Sequence, residues 1–252
     1  MAHAQPRGAL SGPALIRLLA RLADADVPQP GQSLADRLSQ WLSWTDAITL
    51  SSALAASPPA VAPSARAIGA QAANAEAMCS RVRTALAKAI NAGCLPDTRS
   101  TGMVRAPLQS APAAADVDYA DFRQRYLSLQ QAMEMDVGNL RSGLRRVLAA
   151  NTPALAKLAI LDASMEQALA VRERTLLGGI PTLLGQYFER LRAAEQQRQA
   201  DHATASAELG TLAAPSNAWL NAFRNDMRSV LLAELEVRFQ PVEGLLAALR
   251  TR

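Results

Sequence analysis

The stretch Asp118–Asn151, DYADFRQRYLSLQQAMEMDVGNLRSGLRRVLAAN, decides the fold that this sequence predicts. Read at about 100° per residue, its apolar side chains fall on one stripe of a helix. The pattern lasts about four heptads, and a helix of that length is about 50 Å long. We therefore predict one long helix that forms the centre of a bundle. The stripe contains Phe122, Tyr126, Leu129, Met133, Val137, Leu140, Leu144 and Val147.

The rest of the chain favours an all-α fold. β-Branched residues are scarce and never alternate with polar residues over the length of a strand, so we expect no sheet. A chain of 252 residues can bury a substantial core. Further amphipathic stretches follow one another between proline and glycine breakers, and they need a surface to cover them. The prediction is a helical bundle of about seven to eight helices around the long central helix.

Capping and breaker residues place several helix ends. Ser33 and Asp36 have the spacing of a capping box, and we expect the helix that they start to reach Ile48. The Gly178-Gly179 pair should end one helix before the next begins at a proline. Pro241 removes a helical hydrogen bond, so it should kink or restart the last helix.

The chain is expected to divide into four parts. Residues 1–11 are predicted to form a flexible tail, and residues 12–93 an N-terminal helical subdomain. Residues 94–117 hold three prolines and many small side chains, which is typical of a mobile linker. Residues 118–252 should form the C-terminal helical bundle.

Charge and cysteine usage limit the surroundings of the protein. The net charge is +4, but the excess is spread thinly, whereas nucleic-acid binding favours a clustered basic stripe. Cys79 and Cys94 lack a CxxC spacing and are interpreted as free thiols in a reducing compartment, so we expect a cytoplasmic protein. No apolar run approaches the roughly 18 residues that a membrane span needs, and we predict no membrane insertion.

No catalytic, cofactor or metal motif stands out in the sequence. The two histidines, His3 and His202, lie far apart in polar stretches, which leaves little material for zinc or histidine acid–base chemistry. A phosphate-binding GxxxxGK loop and a GxSxG elbow are both absent. We expect no cofactor and no metal, and an enzyme would need an unrecognised site.

Three charged residues lie on stripes that are otherwise apolar. Glu234 and Arg238 project into the face of the last helix, four residues apart, with the acid first, which is the favourable order for an ion pair. Asp162 lies inside the stripe of the helix that follows Thr152. One interpretation is a buried pair that satisfies itself and fixes helix register; the other is an incompletely covered stripe that meets a partner helix.

Trp44 and three arginines are candidate interface residues. Trp44 lies beside the stripe of its helix, either as a partner anchor or as a rim residue covered by a neighbouring helix. Arg141, Arg145 and Arg146 group near the C-terminal end of the long helix, where cations favour the helix dipole. The alternative is a site for phosphate or for an acidic partner.

Three stretches together resemble an uncharacterised proteobacterial family of all-helical proteins known only as a domain of unknown function. They are QWLSWTDAI at residues 40–48, YADFR at 119–123 and LLAELEVRFQPVEGLL at 231–246, of which the last is the most specific. The resemblance extends over the whole chain except the middle linker. It implies no activity and no catalytic residue.

The first functional hypothesis is a non-enzymatic cytoplasmic interaction or adaptor protein that docks a partner protein. The second is a nucleic-acid-associated helical protein that uses Arg141, Arg145, Arg146 and dispersed arginines, although nucleic acid is the less favoured partner. The third is an enzyme. Phosphate-driven binding should fall steeply with ionic strength, whereas apolar helix docking should not. The sequence leaves the partner and the oligomeric state open.

Overall fold

A computed structural model describes residues 13–25, 33–58, 65–94, 117–209 and 217–251. These residues form eight helices and no strand, which confirms the all-α prediction. In chain order the helices are α1 (Ala14–Ala23), α2 (Leu34–Trp41), α3 (Trp44–Ala55), α4 (Ala65–Cys94), α5 (Tyr119–Ala149), α6 (Pro153–Gly178), α7 (Ile180–Leu209) and α8 (Ala218–Arg250).

The long helix α5 buries the stripe that the sequence predicts. Phe122 to Leu144 of that stripe are all buried, and α5 packs against α4, α6, α7 and α8. At the end of the helix, Leu148 is buried instead of Val147. The shift by one residue arises because a straight helix drifts relative to a strict seven-residue repeat.

Helix α8 shares the centre of the bundle with α5. It buries 14 residues, against 9 in α5, and it contacts α1, α4, α5, α6 and α7. The helix continues through Pro241 as one element, so of the two predicted outcomes, a kink or a restart, the restart is wrong. Val242, Leu245 and Leu249 on its last turns are buried, and this packing offsets the hydrogen bond lost at the proline.

Helices from the N-terminal part contribute to the same core. Leu15 and Leu22 of α1 and Ile90 of α4 belong to the cluster that contains the buried residues of α5 and α8. Helix α1 packs on α7 and α8, and α4 packs on α5 and α8. The division into domains stays a prediction. The predicted tail and nearly all of the predicted linker lie outside the described residues.

The segment after Ser33 differs from its prediction. The capping box of Ser33 and Asp36 is present, but the helix ends at Trp41. A second capping box, of Ser43 and Asp46, then starts α3, and Ile48 is exposed on it. The predicted single helix is therefore wrong, because Ser43 satisfies the backbone of a new helix start rather than continuing the old one.

Candidate functional site

A buried polar network joins α5, α6 and α8 at the middle of the bundle. Its centre is the Glu234 carboxylate, which has no exposed surface. Tyr126 donates its hydroxyl to Glu234 Oε2 at 2.7 Å, and Gln130 Nε2 donates to both carboxylate oxygens at 3.0 and 3.1 Å. Gln130 Nε2 also lies 3.1 Å from the Leu177 carbonyl near the end of α6. The Glu234 carboxylate of α8 is thereby bonded directly to α5, and Gln130 connects it to α6.

Arg238 neutralises this buried carboxylate. Its Nε and Nη2 donate to Glu234 Oε1 at 3.0 and 2.9 Å, and its Nη1 lies 3.3 Å from Glu173 Oε1 on α6. The Arg238 side chain is itself only 8% exposed. The sequence predicts this pair, and the structure brings it together. Burying an ion pair is tolerated only when its remaining polar groups are hydrogen-bonded, and here they are.

The network keeps its tyrosine protonated. Burial raises the pKa of Tyr126, and the negative charge of Glu234 and the hydrogen bond to it raise the pKa further. The hydroxyl therefore remains a donor at physiological pH. The Glu234 carboxylate accepts from Tyr126, Gln130 and Arg238, so its hydrogen bonds join α5 to α8.

A second ion-pair cluster links the C-terminal half of α5 to α6. Arg141 Nη2 lies 2.7 Å from Asp162 Oδ1, and Arg145 Nη1 lies 3.1 Å from Asp162 Oδ2 and 2.5 Å from Glu166 Oε2. The Asp162 side chain is 11% exposed. The acid on the apolar stripe of α6 is therefore the partner of two arginines that the sequence placed on α5.

Arg146, the third arginine of that group, points elsewhere. It is exposed and lines a groove between α4 and α5, together with Arg81. The structure thus separates the three arginines, because Arg141 and Arg145 face α6 whereas Arg146 faces α4. Their spacing on a helix implies this divergence, since Arg145 and Arg146 project about 100° apart.

Trp44 lies in the open. It is 81% exposed at the start of α3, so the interpretation of a rim residue covered by a neighbouring helix is wrong. The cause is the break between α2 and α3, which changes the orientation of the residues after Ser43. The neighbouring Trp41 is only partly exposed, and the Arg172 guanidinium of α6 lies 5.4 Å from its ring centroid.

Exposed apolar side chains concentrate on α3 and α6. Among the described residues, eight large hydrophobic side chains are exposed, and six of them belong to these two helices, which pack against each other. Helix α3 buries only Ala53. We refer to this surface as the α3–α6 face; its exposed apolar residues are Trp44, Ile48, Leu54, Ile160, Val171 and Leu176.

The residues considered for metal and redox chemistry are not brought together. No group of three or more His, Cys, Asp or Glu side chains among the described residues is arranged to hold a metal ion. His202 is exposed near the end of α7, and His3 lies outside the described residues. Cys79 and Cys94 are buried free thiols, and burial raises the pKa of Cys94 to about 11.

The sequence does not identify Tyr126, Gln130 and Glu173 as partners of the Glu234–Arg238 pair. Tyr126 is predicted only as an apolar member of the α5 stripe, and Gln130 is not assigned to the core. A signal existed, because the two residues are four apart on one face of α5, as Glu234 and Arg238 are on α8. The sequence could not show that the two faces meet.

None of the helices in the described part of the chain has an apolar stretch long enough to cross a bilayer. The model of one protein family, described as "Protein of unknown function (DUF3348)", matches residues 1–251 of the chain. No curated protein and no solved structure matches the chain.

Proposed function

The chain belongs to this family of proteins of unknown function, and we propose that it is a non-enzymatic cytoplasmic adaptor that docks a partner protein on the α3–α6 face. The observation that carries the proposal is the concentration of exposed apolar side chains on these two helices. Apolar surface exposed to water costs free energy, and exposed apolar patches mark interaction sites in soluble proteins.

The small number of buried residues on α3 and α6 supports a surface that a partner protein covers. Helix α6 extends over 26 residues but buries only Ala156, Ala159 and Leu177. Its apolar residues lie around the helix rather than on one core-facing stripe, as Val171 at 70% exposure illustrates. A helix that is apolar on several sides is normally buried on several sides. A partner protein would supply the missing cover.

Trp44 is the proposed anchor of the partner. Tryptophan is enriched among the interface residues that dominate binding free energy, because its large ring can be desolvated in one step. Ile48 lies four residues further along α3, on the same side of the helix, and is also exposed. An apolar face of this kind fits an amphipathic helix of the partner better than a charged surface.

The nucleic-acid hypothesis loses support from the ion pairs of α5. It relies on Arg141, Arg145 and Arg146, and the first two are held by Asp162 and Glu166 within the chain. Phosphate contacts at these positions would require breaking partly buried pairs.

Two free thiols favour a reducing compartment, which is the basis for placing the protein in the cytoplasm.

Affinity purification of tagged variants from the native cell tests the proposal. Wild-type protein, a Trp44→Ser/Val171→Ser variant and an Ile16→Ser control are purified at physiological salt, with and without nuclease treatment. Ile16 is a suitable control because it is an exposed apolar residue on α1. All three positions are exposed, so the substitutions should leave the core unchanged.

We expect one protein partner to be recovered with the wild type and with Ile16→Ser, in nuclease-treated and untreated lysates alike. The Trp44→Ser/Val171→Ser variant should recover at least tenfold less of it, which corresponds to about 1.4 kcal/mol of binding free energy. Equal recovery by this variant, or loss of the partner after nuclease treatment, would refute the proposal.

A further inference from the structure

A groove between α4 and α5 has an apolar floor and a volume of about 430 Å³. Met78 and Val82 of α4 and Leu140 of α5 line it. Gly143 also lines it, and a Cβ atom there would meet only the Met78 Cε at 3.7 Å and an Arg146 nitrogen at 4.0 Å. The missing side chain at Gly143 keeps the groove open.

Two arginines stand at this groove without a charged partner. Arg81 and Arg146 both line it, and neither guanidinium forms an ion pair or a hydrogen bond with any described residue. Arg141 and Arg145, on the neighbouring side of the same helix, are both paired. The single acid of the groove lining is Asp136. The groove therefore offers an apolar floor with an excess of positive charge.

We propose that this groove binds an acidic amphipathic helix of a partner protein. Apolar side chains of that helix would lie over Met78, Val82 and Leu140, and its carboxylates would pair with Arg81 and Arg146. Recognition of a helix in a groove combines these two contributions, since apolar anchors supply affinity and charges set orientation. The site differs from the α3–α6 face, because it involves other helices and adds a charge requirement.

The lining of the groove favours a peptide over a nucleic acid. A nucleic acid would bring phosphates along its whole length, and it would meet the Asp136 carboxylate and an apolar floor that gives no contact to phosphate. A helix with alternating apolar and acidic faces satisfies both parts of the groove.

A displayed peptide library tests this proposal on the full chain. A random library of peptides about 16 residues long, or about four helical turns, is selected against the wild-type protein. Enriched peptides are synthesised and titrated by fluorescence anisotropy. We expect them to carry aspartate or glutamate on both sides of an apolar helical stripe, and to bind more weakly as ionic strength rises.

Three variants assign the binding to the groove. Arg81→Gln/Arg146→Gln should weaken binding about tenfold, which corresponds to about 1.4 kcal/mol. Gly143→Leu should weaken it at least as much, because the new side chain fills the groove. The matched control Arg17→Gln/Arg37→Gln removes two other exposed arginines, on α1 and α2, and should change affinity less than twofold. Thermal unfolding followed by circular dichroism confirms that each variant is folded.

Several outcomes would overturn the proposal. These are a selection that enriches no peptide, enriched peptides without an excess of acidic residues, and an equal loss of affinity in the Arg17→Gln/Arg37→Gln control. Unchanged binding to Gly143→Leu would also overturn it, because that variant keeps both arginines in the chain and fills the groove between them with a side chain. A single-stranded oligonucleotide that binds more tightly than the peptides would assign the arginines to nucleic acid instead.

Discussion

Replacing Glu234 by alanine should unfold the bundle at a markedly lower denaturant concentration. The substitution leaves the Arg238 guanidinium buried without its main partner, and removal of one partner of a buried ion pair costs about 3–5 kcal/mol. Arg238 keeps the Glu173 carboxylate at 3.3 Å, so we place the loss near the lower end, at about 3 kcal/mol. Tyr126 loses its acceptor as well.

Urea denaturation followed by circular dichroism measures this loss. For a chain of this size, a denaturant slope of about 3 kcal/mol per molar converts about 3 kcal/mol into a midpoint lower by about 1 M. Glu236→Ala is the matched control, because Glu236 lies two residues away on the same helix with a side chain that is 61% exposed. Its pair with Arg83 spans 3.7 Å, and such exposed pairs contribute about 1 kcal/mol or less.

A second pair of variants separates the orphaned charge from lost packing. Glu234→Leu alone leaves Arg238 uncompensated, whereas Glu234→Leu/Arg238→Met removes both charges and keeps apolar volume. If the unpaired guanidinium causes the loss, the double variant should be at least about 1 kcal/mol more stable than the single one. Equal midpoints for Glu234→Ala and Glu236→Ala would refute the reasoning, as would a double variant less stable than Glu234→Leu.

Three further predictions concern packing, ion pairing and alkaline pH. Gly185→Ala should destabilise the protein by about 1–2 kcal/mol, because the new Cβ would lie 2.8 Å from a ring carbon of Tyr119. A Cβ at Gly244 would have no atom within 4 Å, so Gly244→Ala should stabilise the protein by about 0.5–1 kcal/mol. Equal thermal midpoints for the two variants would contradict this prediction. Asp162→Asn should lower the free energy of unfolding measured in urea by about 1–2 kcal/mol. The control Glu134→Gln removes an exposed pair with Arg174 at 4.0 Å and should lower it by less than about 0.5 kcal/mol. Similar losses in the two variants would rule out a structural role for the α5–α6 cluster. All three tyrosines have raised pKa values, two of them about 12, so absorbance at alkaline pH should show no tyrosine ionising near 10 in the folded protein. Because the unfolded chain releases these protons near pH 10 and the folded chain near pH 12 or above, the free energy of unfolding should fall between pH 10 and 12; a flat profile there would contradict the burial of these hydroxyls.

Much of the local structure could be predicted from the residues alone. The Ser33–Asp36 capping box, the helix start after Thr152 and the glycine break at Gly178-Gly179 all lie where the sequence places helix ends. These signals act within one helical turn, so they need no information about the rest of the fold. The same reasoning, applied to Ser43 and Asp46, would have divided α2 from α3.

Contacts between helices were beyond this reasoning. The pattern showed that Glu234 and Arg238 face inward, but not that Tyr126 and Gln130 would meet Glu234 across 104 to 108 residues of chain. The pattern placed Arg141, Arg145 and Arg146 together near one helix end. In the structure the first two pair with acids of α6, whereas Arg146 lines the α4–α5 groove.

The sequence by itself determined that the chain is helical, where several helices begin or end, and which faces are apolar. Periodicity and capping determine these properties because they depend on neighbours within about four residues. Only the tertiary structure decided which faces are covered. In the folded chain the Glu234 carboxylate is buried and the Trp44 indole is exposed. Burial depends on which distant helix packs against a face, and the sequence of a single helix does not specify that partner.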